Sequence, residues 1–222
     1  MSIAYFAPMC NPSEVATRYH HGQLREALLT ASRELLAESG AGGLSLRAAA
    51  RRAGVSTAAP YRHFKDKQAL LVALAHAAFV ELDASLSAVE AALAPPKAGD
   101  LELVQRLGVA YVRFAAERGP EFRLMFGELA PAPDSDPQLA AATAAAAAHL
   151  PRAIGALAPE LDGEQHRDLT LLAWSIVHGL STLYLDGHLG TQTPARAEAI
   201  AERIIAQLGV AIEAALSRRP RQ

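Results

Sequence analysis

The chain has 222 residues, of which 51% are hydrophobic and 20% are charged, and its net charge is −2. A chain of this length buries enough surface to fold without disulfide bonds, and its single cysteine, Cys10, excludes an internal disulfide scaffold. The longest apolar run without charges, 169–185, is shorter than the ~20 residues of a membrane-spanning helix. We therefore expect a soluble, cytoplasmic, globular protein without a membrane partner.

Basic residues are concentrated near the N-terminus. Residues 1–67 hold nine Lys and Arg and five Asp and Glu, whereas residues 68–222 hold twelve and eighteen. Residues 44–67 include six basic side chains and one acidic side chain, Asp66. A basic segment favours a polyanion such as DNA, because Lys and Arg displace counterions from phosphates. From charge alone, a solvated helix face is the favoured explanation of the segment.

The hydrophobic spacing predicts helix after helix, and no segment shows the sustained alternation of a strand. We predict an all-α fold with a three-helix N-terminal domain and a larger helical domain, about nine helices altogether. Glycines, prolines and capping residues set the boundaries. The predicted helices run from about Gly22 to Glu38, Leu46 to Ala53, Thr57 to Phe64, Lys67 to Leu93, Asp100 to Arg118, Glu121 to Leu129, 138 to 149, Gly163 to His188, and Pro194 to Ser217.

Two prolines leave local geometry open. Pro60 occupies the fourth position of the third predicted helix, so that turn is expected to be tight or irregular. Pro151 either kinks the alanine-rich helix or begins a new segment. We expect residues 1–18 to form a flexible arm, with Arg18 as a candidate DNA contact. The first domain then covers 19–67, and the helix 67–93 links it to the second domain, 68–222.

The segment 44–67, LSLRAAARRAGVSTAAPYRHFKDK, has the layout of a helix-turn-helix motif. Ser45 and Ser56 are candidate N-caps for two short helices. Gly54 supplies the positive φ of a sharp turn, and Ala50 lets the helices cross closely. An ordinary helical hairpin with surface charge is the alternative, but it does not account for the caps, the glycine and the basic excess together.

This segment, with YHHGQLREALLTASRELL before it and LLVALA after it, resembles the DNA-binding domain of the tetracycline-repressor (TetR) family over about Tyr19 to Ala75. The resemblance implies a homodimeric transcriptional regulator, usually a repressor, that binds double-stranded DNA at a near-palindromic operator. Pro60 departs from the family pattern, which often has Leu there. By position, the residues that approach bases would be Arg47, Thr57 and Ala58. Those that hold phosphates would be Tyr61, His63 and Lys67, and Arg62 matches a site of variable role.

The segment WSIVHGL, beginning at Trp174, resembles a C-terminal domain type of the same family that is known by a Trp-His-Gly signature. Apolar pockets combine aromatic side chains with a few polar groups, so a ligand pocket for a small, largely apolar effector is expected here. For Trp174 and His178, core packing with a hydrogen-bonded histidine is favoured over ligand contact, and a close helix approach is expected at Gly179. The candidate pocket residues are Phe122, Met125, Phe126, Trp174, His178 and Tyr184.

The last two predicted helices have more apolar positions than one thin domain can bury. Family members pair two such helices from each subunit into a four-helix dimer interface, and the resemblance implies the same pairing here. The candidate interface residues are Leu172, Ile176, Leu180, Leu183, Ile200, Ile204, Leu208 and Ile212.

Other chemistries have little support in the sequence. There is no HExxH, CxxC, GxGxxG, P-loop or GxSxG motif, so we expect no metal, no cofactor and no enzymatic activity. A metal or acid–base site is one interpretation of His166 and Asp168, but exposed polar residues at a helix start explain them better. A helical small-molecule carrier or enzyme that uses the C-terminal cavity is the alternative function, but it leaves the basic segment without a role.

Overall fold

A computed structural model describes residues 21–190 and 193–217, and in these ranges the chain is helical, without β-strands. The predicted arm 1–18, Cys10 and Arg18 lie outside the described residues. Two 3-10 helices, Ala59–Arg62 and Pro133–Ser135, accompany eight α-helices, against about nine predicted. The α-helices are α1 (His21–Gly43), α2 (Leu46–Arg52), α3 (Lys67–Ala92), α4 (Glu102–Glu117), α5 (Gly119–Phe126), α6 (Pro137–Leu157), α7 (Gly163–Leu185) and α8 (Pro194–Ser217).

The N-terminal domain closes around leucines from α1 and α2. Leu28 and Leu36 are buried on one side of α1 and join Leu46 and Phe64 in one core. Gly40 interrupts α1 with φ 65° and ψ 179°, a conformation that glycine adopts without a steric penalty. The sequence predicted a helix end at about Glu38, and the structure breaks the helix two residues later, at Gly40.

The helix α3 belongs to both halves of the molecule. It starts beside the N-terminal domain, where the Asp66 side chain caps it by accepting from the Ala69 N–H at 2.9 Å. Its far half packs against α4 and α6. By length and apolar composition it could span a membrane, but half of its most apolar window is buried inside the protein, as in the core helix of a globular fold.

A charged cluster fastens the two halves where α1, α3 and the α4–α5 junction meet. Glu81 on α3 pairs with Arg33 of α1 at 2.5 Å and with Arg118 at 3.3 Å. Each pair is partly exposed, so each alone contributes little to stability. Because both arginines contact Glu81, the cluster helps to fix the position of α3 against α1.

The larger domain packs α4 at its centre, against α3, α7 and α8. Gly108 permits this close approach, since a Cβ there would lie 2.9 Å from Ile205 and 3.2 Å from Val177. The helix α6 continues through Pro151 to Leu157, so the alternative in which Pro151 begins a new segment is wrong. The last helix has the predicted bounds.

Candidate DNA-binding surface and ligand cavity

The predicted turn between the two short helices is present. The Ser45 side chain accepts from the Ala48 N–H at 3.1 Å and caps α2. Gly54 follows with φ 69°, and the Val55 N–H then donates to the Ala50 carbonyl at 3.0 Å. Ala50 has no exposed surface, so a larger side chain would push the two segments apart.

The predicted α-helix Thr57–Phe64 is wrong, because this segment forms the 3-10 helix Ala59–Arg62 with turns on both sides. Pro60 has no N–H to donate to the Ser56 carbonyl, which instead accepts from Ala59 at 3.0 Å. The N-cap position is taken by Ala58, which makes no side-chain cap, rather than by the predicted Ser56. The Pro60 ring is fully buried and anchors the short helix.

The outer surface of this motif carries most of the predicted DNA contacts. Tyr61 is 54% exposed. The predicted base contacts Arg47, Thr57 and Ala58 are exposed, and so is Arg62. His63 is half-buried and its ring lies 6.4 Å from that of Phe64. The structure therefore presents these side chains to solvent, except for His63.

Two of the six basic residues in 44–67 already bind protein groups. Arg52 bonds Glu38 at 2.6 and 2.9 Å and Glu34 at 3.2 Å, which raises the Arg52 pKa and lowers that of Glu38 through the shared hydrogen bonds. The Lys67 Nζ donates to the Gly42 carbonyl at 3.0 Å. Lys67 retains two donors for a phosphate, whereas the charge of Arg52 is neutralised.

The larger domain encloses a cavity of about 540 Å³, within the range of small-molecule sites. Its walls are almost entirely apolar and come from α3 to α8. Of the predicted pocket residues, Phe126 and Trp174 line it. Many of its other lining residues were not predicted: Phe79, Leu82, Leu86, Val104, Leu107, Tyr111, Ala146, Ala147, His149, Leu150, His166, Arg167, Leu171, Ala173, Val177, Ile205 and Leu208.

The structure places three predicted pocket residues outside the cavity wall. Phe122, Met125 and Tyr184 are at most 5% exposed and pack in the core. The physical reason is that α5 has eight residues and meets the cavity only at its last residue, Phe126. The Phe122 ring instead contacts the ring of Tyr111, with 5.6 Å between their centroids.

His178 stands behind the cavity wall and fixes one of its aromatic residues. Its Nδ1 lies 2.9 Å from the Tyr111 hydroxyl. Burial lowers the His178 pKa and raises that of Tyr111, so both are neutral at pH 7.

The predicted dimer-interface residues divide into two groups. Leu180, Ile200 and Ile212 are at most 9% exposed and pack inside the protomer, and Leu208 lines the cavity, so those four do not form an outer face. The sequence prediction assigned apolar residues from both the inner and the outer side of each helix to one dimer interface. Leu172, Leu183 and Ile204 are 42–50% exposed, and Ile176 is half-buried.

No group of three His, Cys, Asp or Glu side chains within the described ranges is arranged to hold a metal ion. His166 is half-buried rather than exposed, and its Nε2 donates to the Pro151 carbonyl at 2.9 Å. This bond ties the start of α7 to α6.

Comparison with solved structures gives several matches that cover most of the chain, whereas comparison with curated proteins found no match. A protein of unknown function from Rhodococcus sp. RHA1 is 33% identical, with 86% of this chain and 98% of that chain covered and a TM-score of 0.68. The TetR family transcriptional regulator PfmR from Thermus thermophilus is 22% identical, with 82% and 93% covered and a TM-score of 0.62. FadR from Bacillus subtilis in complex with stearoyl-CoA is 16% identical, with 82% and 97% covered and a TM-score of 0.60. The last two likenesses show the fold alone.

Two family profiles match the chain in sequence. The profile described as bacterial regulatory proteins, tetR family, matches 28–74, which includes the capped α2, Gly54 and the exposed basic surface. The profile described as tetracyclin repressor-like, C-terminal domain, matches 104–208, which includes most of the cavity wall and the segment beginning at Trp174. The two together span most of both domains, and the chain belongs to the TetR family of DNA-binding transcriptional regulators.

Proposed function

We propose that this protein is a repressor that leaves its operator when a small, largely apolar ligand fills the cavity of the larger domain. The observation that carries the proposal is the course of α3. This helix begins at Lys67, beside the exposed basic surface, and its side chains Phe79, Leu82 and Leu86 line the cavity. A ligand that displaces α3 would therefore move the DNA-binding motif.

The basic surface supports sequence-specific binding to double-stranded DNA. Arg47, Arg51, Arg62 and Lys65 are exposed and make no salt bridge with another described residue. Free cations on one motif bind phosphates through counterion release. Thr57 and Ala58 lie at the start of the short helix, where small side chains can contact base edges or a thymine methyl.

A homodimer follows from the same proposal, since one short helix contacts few base pairs. The outer face of α7 carries Leu172, Ile176 and Leu183, with Gly179 between the last two. A Cβ at Gly179 would meet no atom within 4 Å, so the predicted close helix approach is absent within the protomer. On α8, Val210 is 62% exposed. We propose that a second copy packs its α7 and α8 against this apolar face.

The experiment is DNA binding by fluorescence anisotropy, with a labelled fragment of the promoter region beside the protein's own gene. We expect binding that weakens steeply with salt. Arg47→Ala should relax the sequence preference, with ~1–3 kcal/mol at stake for a good base contact. Arg52→Ala is the matched control, because the Arg52 charge is already paired with Glu34 and Glu38. Equal affinity for promoter and random DNA at every salt concentration would contradict the proposal, since a carrier or enzyme needs no operator.

FadR from Bacillus subtilis supports the ligand part of the proposal, because a protein of this fold is known with a long-chain acyl ligand, stearoyl-CoA. The cavity of about 540 Å³ corresponds to about 18 groups at ~30 Å³ per water-sized group. That volume fits an apolar chain or a small ring system.

A further inference from the structure

One face of α7 forms the mouth of the cavity. Arg167, Leu171 and Trp174 are four and seven residues apart, so they share a helix face. All three line the cavity, and all three are exposed, Leu171 by 57% and Trp174 by 42%. The cavity therefore meets solvent along this face, while its inner wall is made by buried side chains of α3 and α4.

The inner wall offers nothing for a charged group. Leu82, Leu86, Val104 and Leu107 are at most 5% exposed and entirely apolar. The Tyr111 hydroxyl on α4 is already engaged by His178, whose Nδ1 lies 2.9 Å away. A charge on the ligand would therefore find no partner among the α3 and α4 side chains.

Among the described residues that line the cavity, Arg167 is the single Lys or Arg, and none is Asp or Glu. The guanidinium makes no salt bridge with another described residue, in contrast to Arg52. Arg167 also lies near the start of α7, where the helix dipole favours an anion. A guanidinium is permanently charged and binds carboxylates and phosphates with a planar pair of donors.

Two carboxylates of α3 contact His149, a lining residue of α6. His149 lines the cavity, and its two ring nitrogens lie 2.9 Å from Asp83 and 2.8 Å from Glu90. Arg152 lies 3.5 Å from Glu90. Both carboxylates thus have side-chain partners, whereas Arg167 makes no salt bridge with a described residue.

We infer that the effector is an anionic amphiphile, with an apolar tail among the α3 and α4 side chains and an anionic head on Arg167. This inference deepens the proposed function and rests on the cavity being its effector site. A carboxylate and the phosphates of an acyl-coenzyme A share the chemistry that Arg167 would recognise.

The test measures binding of dodecanoate and dodecan-1-ol to the full-length protein below their aggregation limits. Trp174, the single tryptophan, reports filling of the mouth by its fluorescence, and calorimetry gives an independent affinity. We expect dodecanoate to bind roughly tenfold tighter than the alcohol, because a charge-assisted hydrogen bond is about twice as strong as a neutral one. Arg167→Gln should remove this difference and leave the alcohol unchanged.

Arg196→Gln is the matched control, since Arg196 is an exposed arginine near the start of α8 and does not line the cavity. It should behave as wild type. Dodecanoyl-coenzyme A is the second arm, and tight, Arg167-dependent binding of it alone would support the inference with a phosphate head. Equal affinity for dodecanoate, the coenzyme A ester and the alcohol, or an Arg167→Gln protein that still prefers the anions, would overturn it.

Release of promoter DNA separates this inference from the proposed function. An anion that binds through Arg167 without releasing DNA would support the ligand class and contradict the proposed function. Release by dodecan-1-ol, with no tighter binding of the anions, would support the proposed function and overturn the ligand class.

Discussion

Ala146 is the position where one substitution changes the cavity volume. It lies in the middle of α6, is 7% exposed, and lines the cavity. Ala146→Leu adds about three methylene-sized groups, or about 90 Å³ at ~30 Å³ per water-sized group. This is about one sixth of the 540 Å³ available, so the longer side chain has room without displacing its neighbours.

The substitution should stabilise the free protein and shorten the preferred ligand. Burying about three methylene-sized groups at ~0.8 kcal/mol each gives an upper limit of ~2.4 kcal/mol. Imperfect fit reduces this gain, so we expect about 1–2 kcal/mol in the free energy of unfolding, or a Tm rise of roughly 2–8 °C. A straight-chain ligand that fills the cavity should lose room for about three carbon atoms.

Urea unfolding measures the first effect, and binding of a series of straight-chain amphiphiles measures the second. Ala145→Leu is the control, because Ala145 is exposed on the same helix and does not line the cavity. It should change neither the ligand series nor the stability by more than about 0.5 kcal/mol. The reasoning is refuted if Ala146→Leu destabilises the protein by more than ~1 kcal/mol, or if the preferred chain length stays the same.

Three further predictions concern the other parts of the molecule. Lys67→Ala should weaken binding to any DNA sequence and lower the salt slope by about one, with some loss of thermal stability because its bond to Gly42 is lost; an unchanged salt slope would contradict the phosphate contact. Ile204→Glu should give monomers in light scattering that bind DNA poorly, whereas Ala145→Glu should remain dimeric; a dimeric Ile204→Glu protein would reject this face. Because the pKa of His178 is lowered in the folded protein, the unfolded chain binds more protons as the pH falls. The contribution of neutral His178 to the free energy of unfolding is therefore complete above pH ~6.5 and is lost below it. His178→Gln should therefore flatten the fall in unfolding free energy between pH 7.5 and 5.5, which a urea titration at each pH would detect.

The His178 prediction has its own control just after the same helix. His188 is exposed beyond the end of α7, so His188→Gln should leave the pH dependence as in wild type. If both variants behave alike, burial of His178 is not the cause of the acid sensitivity.

The sequence predicted the helix-turn-helix motif well because local interactions determine its parts. A serine cap such as Ser45 and a positive-φ glycine such as Gly54 act within a few residues of their own position. The excess of basic over acidic residues in 44–67 can be found by counting charged residues in the sequence. The predicted Ser45 cap, the turn and the start of α3 are therefore confirmed in the structure.

The third helix shows the limit of local reasoning. Ser56 and the small residues after it are typical of a helix start, but Pro60 removes one N–H and fits a buried position as a compact anchor. Whether the surrounding turns stay helical depends on how the ring packs against the domain core. Sequence indicated an irregular turn here but not that a 3-10 helix would replace the α-helix.

The cavity was only partly predictable because its walls come from six helices, α3 to α8, whose packing cannot be seen in the sequence. Trp174 and Phe126 were found as aromatic residues in an apolar setting, but the same pattern selected Phe122, which packs one turn away in the core. In sequence, the alanine-rich part of α6 indicates helix propensity alone. Its small side chains, such as Ala146, also leave the space that the cavity occupies.

The apolar residues of α7 and α8 belong to two separate surfaces, which the sequence prediction treated as one. A helix that is apolar on two sides predicts two contacts, but the sequence does not say which side faces its own core. Leu180 proved to be buried and Leu183 exposed, although they are one turn apart. The distinction depends on where α4 packs, which is a property of the tertiary fold.

The most direct test of the account is the linkage between the cavity and the operator. A compound that stabilises the protein through the cavity should have its affinity measured for the free protein and for the DNA-bound protein. We predict that DNA weakens its binding by the same factor by which the compound weakens DNA binding, about 5–150-fold for a coupling of ~1–3 kcal/mol. Equal affinity for the free and the DNA-bound protein would contradict ligand control of this regulator.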